Sequence, residues 1–200
     1  MAKPFQYLDF WNGKYSDGHT PWDLGRVSRP VELLLEAAFP QQGRVFIPGS
    51  GRGYEALHLA GQGYAVTAVD YADEAVTYLS DEARRQGLDI DVRKQDIFDL
   101  PPEFDAAFDV LLEQTCFCAI NPKDRAAYEA MAHRVLKPGG RLLGVFMEVP
   151  FDNGPPFNCP ADVVQAFFPE ARWHLDAQTP VEPQEPMRPG PEYLLCYTRK

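Results

Sequence analysis

Basic residues are scarce in this 200-residue chain. Lys and Arg number 19 against 29 Asp and Glu, a formal net charge of −10. Such a chain repels phosphate backbones and anionic bilayers, which argues against nucleic acid or a membrane surface as partner. No apolar run is long enough to span a bilayer. The opening MAKPFQYLDF lacks the apolar stretch of a secretory leader. The expected location is therefore cytoplasmic. Cysteine is limited to Cys116, Cys118, Cys159 and Cys196, with no recognisable disulfide framework; free thiols in a reducing compartment fit them. Zinc asks for four ligands at suitable spacing, and only Cys116 and Cys118 lie close together, so no metal site is expected. Internal repeats and low-complexity tracts are also missing. Hydrophobic residues at 45% and charged residues at 24% match a globular chain and exclude wholesale disorder. The length suits one domain over 1–200, opened by an aromatic segment over 1–30. Proline is the exception to this scarcity: 19 residues, many in the final third, predict ordered loops there.

The pattern predicts a short helix over 4–12, an irregular loop, and a helix over 29–39 with Pro30 in its first turn. Strands are expected over 44–47, 65–69, 90–94, 108–112 and 141–147. Helices are expected between them over 54–60, 73–86 and 123–136. Asp73 reads as an N-cap and Gly87 as a C-terminal stop. The Lys137-Pro138-Gly139-Gly140 run reads as a turn feeding the next strand. A helix over 161–168, strands over 171–175 and 193–198, and a Pro-rich loop over 179–191 complete the reading. This alternation predicts an α/β, Rossmann-like, doubly wound, mostly parallel seven-stranded sheet with helices on both faces.

Ligands of such sheets bind at the carboxyl ends of the strands, near the switch in strand order. The first strand leads into Pro48-Gly49-Ser50-Gly51-Arg52-Gly53 and then a helix. Glycines at 49 and 51 permit a tight turn and close approach of a ligand, although a plain glycine turn has the same signature. Tyr54 stands where the dinucleotide fingerprint needs glycine, which disfavours an NAD-linked dehydrogenase, and no Lys-Ser/Thr follows for a P-loop. The second strand ends in Asp70, suited to accept from both hydroxyls of a ribose; the other reading is a cap for the next helix. The third is followed by Asp96 and Ile97, suited to an adenine amine and ring, with a capping Asp96 as the other reading. The fourth ends in Glu113 and Gln114, polar groups closing an apolar run. Phe117 and Cys118 follow, either in the site or in the core.

These residues belong to a longer pattern. Trp11, Tyr15 to Gly25 with its T-P-W-D-x-G block, Pro48 to Gly53, Asp70, Asp96-Ile97-Phe98, Phe117-Cys118-Ala119-Ile120, Leu136 to Gly140 and Gly154-Pro155-Pro156-Phe157 all enter it. The chain resembles the class I S-adenosylmethionine (SAM)-dependent methyltransferases. More narrowly, it resembles the thiopurine methyltransferase superfamily on its halide and thiocyanate methyltransferase side. The resemblance implies SAM as cofactor, with contacts at Trp11, Tyr15, Trp22, Gly49, Asp70, Asp96, Ile97 and Gln114. Gly51 and Glu113 are added from the strand-end reading. Tyr15 stands where plant halide enzymes carry Trp, and Gln114 where they carry Tyr.

The activity this implies is methyl transfer to a small soft nucleophile, namely a thiol, thiocyanate, bisulfide or halide, by in-line displacement. The alternatives are an O- or N-methyltransferase of a small metabolite, or a SAM-binding module without catalysis. Aromatic faces attract the sulfonium cation by roughly 0.5–2 kcal/mol each, so Trp11, Tyr15 and Trp22 can cover the cofactor; they can equally cover a sheet edge. An anionic acceptor needs desolvation rather than a strong base, and no catalytic base is assigned; His19 lies near Trp22 as a loop histidine. Loop positions place Trp22, Phe117 and Phe157 on the acceptor side, with Met147, Pro155 and Pro156. The expected partner is a small-molecule acceptor and the expected state a monomer.

Overall fold

The computed structural model describes residues 5–150, 153–183, 188 and 190–200. Pro4 and part of the expected loop over 179–191 lie outside these residues. The chain runs α1 (Phe5–Ser16), α2 (Arg29–Ala38), β1 (Arg44–Pro48), α3 (Tyr54–Gly61), β2 (Ala65–Asp70), α4 (Asp73–Gln86) and β3 (Ile90–Lys94). It continues through β4 (Phe108–Gln114), α5 (Arg125–Val135), β5 (Leu136–Met147), α6 (Ala161–Gln165), β6 (Trp173–Val181) and β7 (Glu192–Arg199). Short 3₁₀ turns occupy Pro102–Phe104, Phe117–Ala119 and Pro122–Asp124.

The described strands form one seven-stranded sheet in the order β3-β2-β1-β4-β5-β7-β6. The first five pair in parallel, and β7 runs antiparallel to β5 and β6. This is the Rossmann-like, mostly parallel seven-stranded sheet that the pattern predicted. The order reverses between β1 and β4, which opens a crevice at their carboxyl ends. Side chains alternate across β1: Phe46 joins the cluster with α5, whereas Val45 and Ile47 join that with α2, α3 and α4. Both faces are covered, so the central strands read as continuous apolar runs. Among the described residues no helix is long and apolar enough to cross a membrane.

Several boundaries differ from expectation: α5 is shorter than the expected 123–136, α6 ends at Gln165 rather than 168 and β4 runs on to Gln114, and four further differences have a clear cause. The first helix continues past Asn12 to Ser16 because α4 holds its end: Asp73 N donates to Asn12 Oδ1 at 3.0 Å and Ser16 Oγ to Glu74 Oε1 at 3.0 Å. Asp73 is therefore not the cap of α4. Ala72 takes that position, and the capping oxygen arrives from Asn12 of α1. Gly87, at φ +68°, does close α4 in the left-handed conformation. The glycine run 137–140 does not precede β5 but lies inside it, with a register shift against β4. Finally, β6 occupies Trp173–Val181 rather than 171–175, paired with β7 from Trp173↔Arg199 to Val181↔Glu192. Pro180 is tolerated because β6 is an edge strand.

Candidate active site

The carboxyl ends of the strands open into a cavity of about 830 Å³, a usual size for a ligand site. Its first wall is the loop after β1. Gly49, Gly51 and Gly53 have φ of +58°, +54° and +71°, a region that L side chains rarely adopt. A Cβ on Gly49 would stand 2.7 Å from Cys116 Sγ, and one on Gly53 would stand 2.5 Å from Leu79 Cδ1. The loop thus lies flush against its neighbours.

Asp70, at the end of β2, borders this wall. Its Oδ2 accepts from Gly51 N at 2.8 Å and its Oδ1 from Ala72 N at 2.9 Å. Burial raises its carboxyl above the ordinary range, and the amides partly offset that. Asp70 itself lines the cavity. Asp96 and Ile97 also line the cavity. Asp96 Oδ1 accepts from Phe98 N at 2.9 Å, which closes a local turn, and Ile97 is buried.

Above the glycine loop sits the aromatic segment. The Trp11 and Trp22 rings meet edge to face at 5.2 Å, and Tyr15 meets Trp22 at 5.8 Å. All three line the cavity. Besides the contacts of α1 with α4, Arg52 Nη1 lies 2.8 Å from Asp23 Oδ2, and Arg188 Nη2 donates to Trp22 O at 3.1 Å.

A second wall, in contact with the first at Gly49 and Cys116, is the turn after β4. Gln114 lines the cavity, and its amide oxygen and nitrogen are buried with no hydrogen-bond partner among the described residues. Thr115 follows at φ +59°, rare for a residue with a Cβ. Cys116 and Cys118 then reach the cavity edge. Burial pushes both thiols well up, so they are neutral at ordinary pH.

Three expected contacts do not line the cavity. Glu113 turns into the core, where its carboxylate accepts from Cys116 N at 2.9 Å, Phe117 N at 2.8 Å and the Tyr128 hydroxyl. Burial pushes its carboxyl up to about 7. Phe117 is fully buried, its ring against Tyr128 at 5.2 Å and Phe146 at 5.6 Å, with the Arg125 guanidinium 4.9 Å above it. Phe157 contributes its backbone N–H to Cys118 O at 2.7 Å rather than its ring to the cavity. Position at a strand end or in a loop does not by itself tell a cavity-facing side chain from one that turns inward, whether to bind the turn's own amides, as Glu113 does, or to pack in the core, as Phe117 does.

Met147, Pro155, Pro156 and His19 do reach the cavity. Arg188 was not anticipated. It lines the cavity with its side chain only 5% exposed, ion-paired with Glu192 at 3.5 Å, and its Nε has no hydrogen-bond partner among the described residues. The only sequence signal for it was a cation in an acidic, Pro-rich loop just ahead of the last strand.

A profile of the thiopurine S-methyltransferase family matches residues 6–188. The chain belongs to that family. It is similar to thiocyanate methyltransferase 1 of Brassica oleracea, 30% identical over 74% of this chain and 66% of that one. The chain thus spans just under two thirds of that plant relative's length. It is also similar to the thiopurine S-methyltransferase of Pseudomonas putida (strain GB-1), 28% identical over 92% of this chain and 91% of the relative. Among solved structures, the fold matches the Burkholderia thailandensis 1,6-didemethyltoxoflavin-N1-methyltransferase, crystallised with 1,6-didemethyltoxoflavin and S-adenosylhomocysteine. That match has a TM-score of 0.77 and 22% identity, over 100% of this chain and 92% of the other.

Proposed function

We propose that this chain is a SAM-dependent methyltransferase acting on a small soft nucleophile, a thiol, thiocyanate, bisulfide or halide, by in-line displacement. One observation carries the reading. A single cavity is lined both by carboxylates and glycines fit for a nucleoside and by neutral thiols, prolines and a buried amide. The names of the relatives in Brassica and Pseudomonas support transfer to sulfur.

The cofactor fits what is there. The left-handed glycines leave backbone where a Cβ would meet Cys116 or Leu79, and Asp70 lines the cavity beside them. Gly49, Gly51, Asp70, Asp96 and Ile97 would hold the nucleoside end. Trp11, Tyr15, Trp22 and Gln114 would surround the methionine end, with the described part of the aromatic segment as a cover. When bound, SAM supplies a methyl group on a cationic sulfur. The aromatic faces favour that charge. The apolar wall from Met147, Pro155 and Pro156 strips water from the acceptor, and hydration is what masks a soft anion. Arg188 brings a buried guanidinium, ion-paired with Glu192, to the same cavity, and its remaining N–H groups suit an acceptor that arrives as an anion. Because such an acceptor is already ionised, the chain need not supply a base. Turnover should then follow the acceptor's own ionisation.

The test is a panel of bisulfide, thiocyanate, iodide and an aromatic thiol with SAM, read as S-adenosylhomocysteine formed. Turnover on at least one is expected; none on any would remove the substrate class. Methylation of a heteroaromatic nitrogen or hydroxyl instead would favour a second reading, which the unpartnered Gln114 amide supports because it offers a donor and an acceptor to a polar ring.

A further inference from the structure

The turn after β4 supplies Gln114, Thr115, Cys116 and Cys118 to the cavity. Its backbone takes an unfavourable left-handed step at Thr115. Something must hold it, and that group is outside the cavity. Glu113 Oε1 accepts both the Cys116 and the Phe117 amides, while Oε2 accepts the Tyr128 hydroxyl from α5. The turn in turn abuts the glycine loop: the space where a Gly49 Cβ would sit is taken by Cys116, with Sγ at 2.7 Å and Cβ at 3.1 Å. One carboxylate therefore joins α5, the acceptor-side turn and, through Cys116, the cofactor-side loop.

We propose that Glu113 is a positioning residue that sets the register between the turn after β4 and the glycine loop after β1, and so the alignment of methyl donor and acceptor. This rests on the reading that donor and acceptor meet in this cavity. Displacement at carbon needs nucleophile, carbon and leaving group in line, and a misplacement of about 1 Å can cost about 100-fold in rate. A shift of the turn therefore falls on kcat more than on binding.

Two variants separate reach from charge. Glu113→Gln keeps the reach: its amide oxygen still accepts both backbone N–H groups, and its NH₂ donates to Tyr128, whose hydroxyl turns to accept. Glu113→Asp keeps the charge but is one methylene too short to span the same three donors. With SAM and bisulfide, kcat of Glu113→Gln should stay within about threefold of wild type, while Glu113→Asp falls by about 100-fold. The dissociation constant of S-adenosylhomocysteine, by calorimetry, should move by no more than about threefold in either, because uniform binding is untouched. Equal losses in the two variants, a better Asp than Gln, or a loss of affinity matching the loss of rate would overturn the proposal.

Failure of the parent reading appears in the wild type itself, as no turnover on the panel. The positioning role is then read without an acceptor. Hydrogen exchange at the Cys116 and Phe117 amides, with S-adenosylhomocysteine present, should quicken in Glu113→Asp and not in Glu113→Gln. Unchanged protection in Glu113→Asp would overturn it. Tyr128→Phe, which removes one donor from the network, should fold and fall between the two in both readouts.

Discussion

The two loops that meet at the cavity, after β1 and after β4, reach fixed shapes by opposite means. The loop after β1 is shaped by what is missing: three left-handed glycines, two of them with no room for a Cβ. The turn after β4 is shaped by one buried side chain, which gathers two amides and a hydroxyl. The acids near each loop show the same contrast. Asp70 and Glu113 are both buried at strand ends, and each accepts two backbone amides. Asp70 borders the cavity, whereas Glu113 spends its remaining oxygen on Tyr128. A strand-end acid thus either borders the cavity or clamps a turn. What decides is the neighbour that competes for its free lone pairs.

The comparison breaks most sharply at Gly49. Gly49→Ala puts a Cβ at φ +58° and within 2.7 Å of Cys116 Sγ. Left-handed backbone costs an alanine about 1–2 kcal/mol, and overpacking adds about 1–3 kcal/mol. A stability loss of about 2–5 kcal/mol is expected from urea melts, with a larger loss of SAM affinity than at Glu113. A tolerated alanine would mean that the loop is not shaped by absence.

The clamp is tested through pH. Burial raises the Glu113 carboxyl from about 4.5 to about 7. The folded protein therefore holds a proton over a range in which the unfolded chain has lost it. Stability from this group is full below about pH 4.5 and is lost as pH rises through about 7. At about 1.4 kcal/mol per pH unit, the window is worth about 3 kcal/mol at most. Glu113→Gln does not titrate there. Tyr128 and Cys116, which face the carboxyl, are pushed well up and stay neutral throughout. Wild type should lose stability relative to Glu113→Gln between pH 5 and pH 8; a constant difference would sink the buried-clamp assignment.

At the acid proposed to hold the ribose, Asp70→Ala should weaken SAM binding by about 1.5–3 kcal/mol, the scale of lost hydrogen bonds to a charged group. Calorimetry checks it, and unchanged affinity would remove the ribose role. Glu113→Gln under the same assay should not show this loss, which is what separates the two acids.

How much was legible follows from what is local. The α4 boundaries, Gly87 as its stop and the glycine loop rest on signals within a turn or two of sequence, and they stand as read. The sheet followed from alternation of strand and helix. What was hidden depended on partners far along the chain. Asn12 capping α4 from 61 residues away lengthened α1. Pairing along β7 carried β6 through Pro180. Phe117 went to the core because Tyr128, Phe146 and Arg125 surround it. Arg188 reached the cavity only through the return of the last loop to Trp22, 166 residues earlier. Nothing near any of these residues in sequence announces its partner.

The smallest expected effect lies where the aromatic segment is tied to the glycine loop. Asp23 Oδ2 meets Arg52 Nη1 at 2.8 Å, while Oδ1 accepts from Gly25 N at 2.9 Å. Asp23→Asn keeps an oxygen for Gly25 and removes the charge toward Arg52. The Arg52 side chain is one-third exposed, so solvent and salt weaken the pair. The loss in SAM affinity should be no more than about 1 kcal/mol, and it should shrink as salt is added. Hydrogen exchange over 9–24 should still slow when SAM is added, because ring packing rather than the ion pair seats the segment. A loss several times larger, insensitive to salt, would mean that this charge acts on the cofactor itself. The glycine side would then depend on a side chain as the β4 side does, and the contrast between the two loops would fail there.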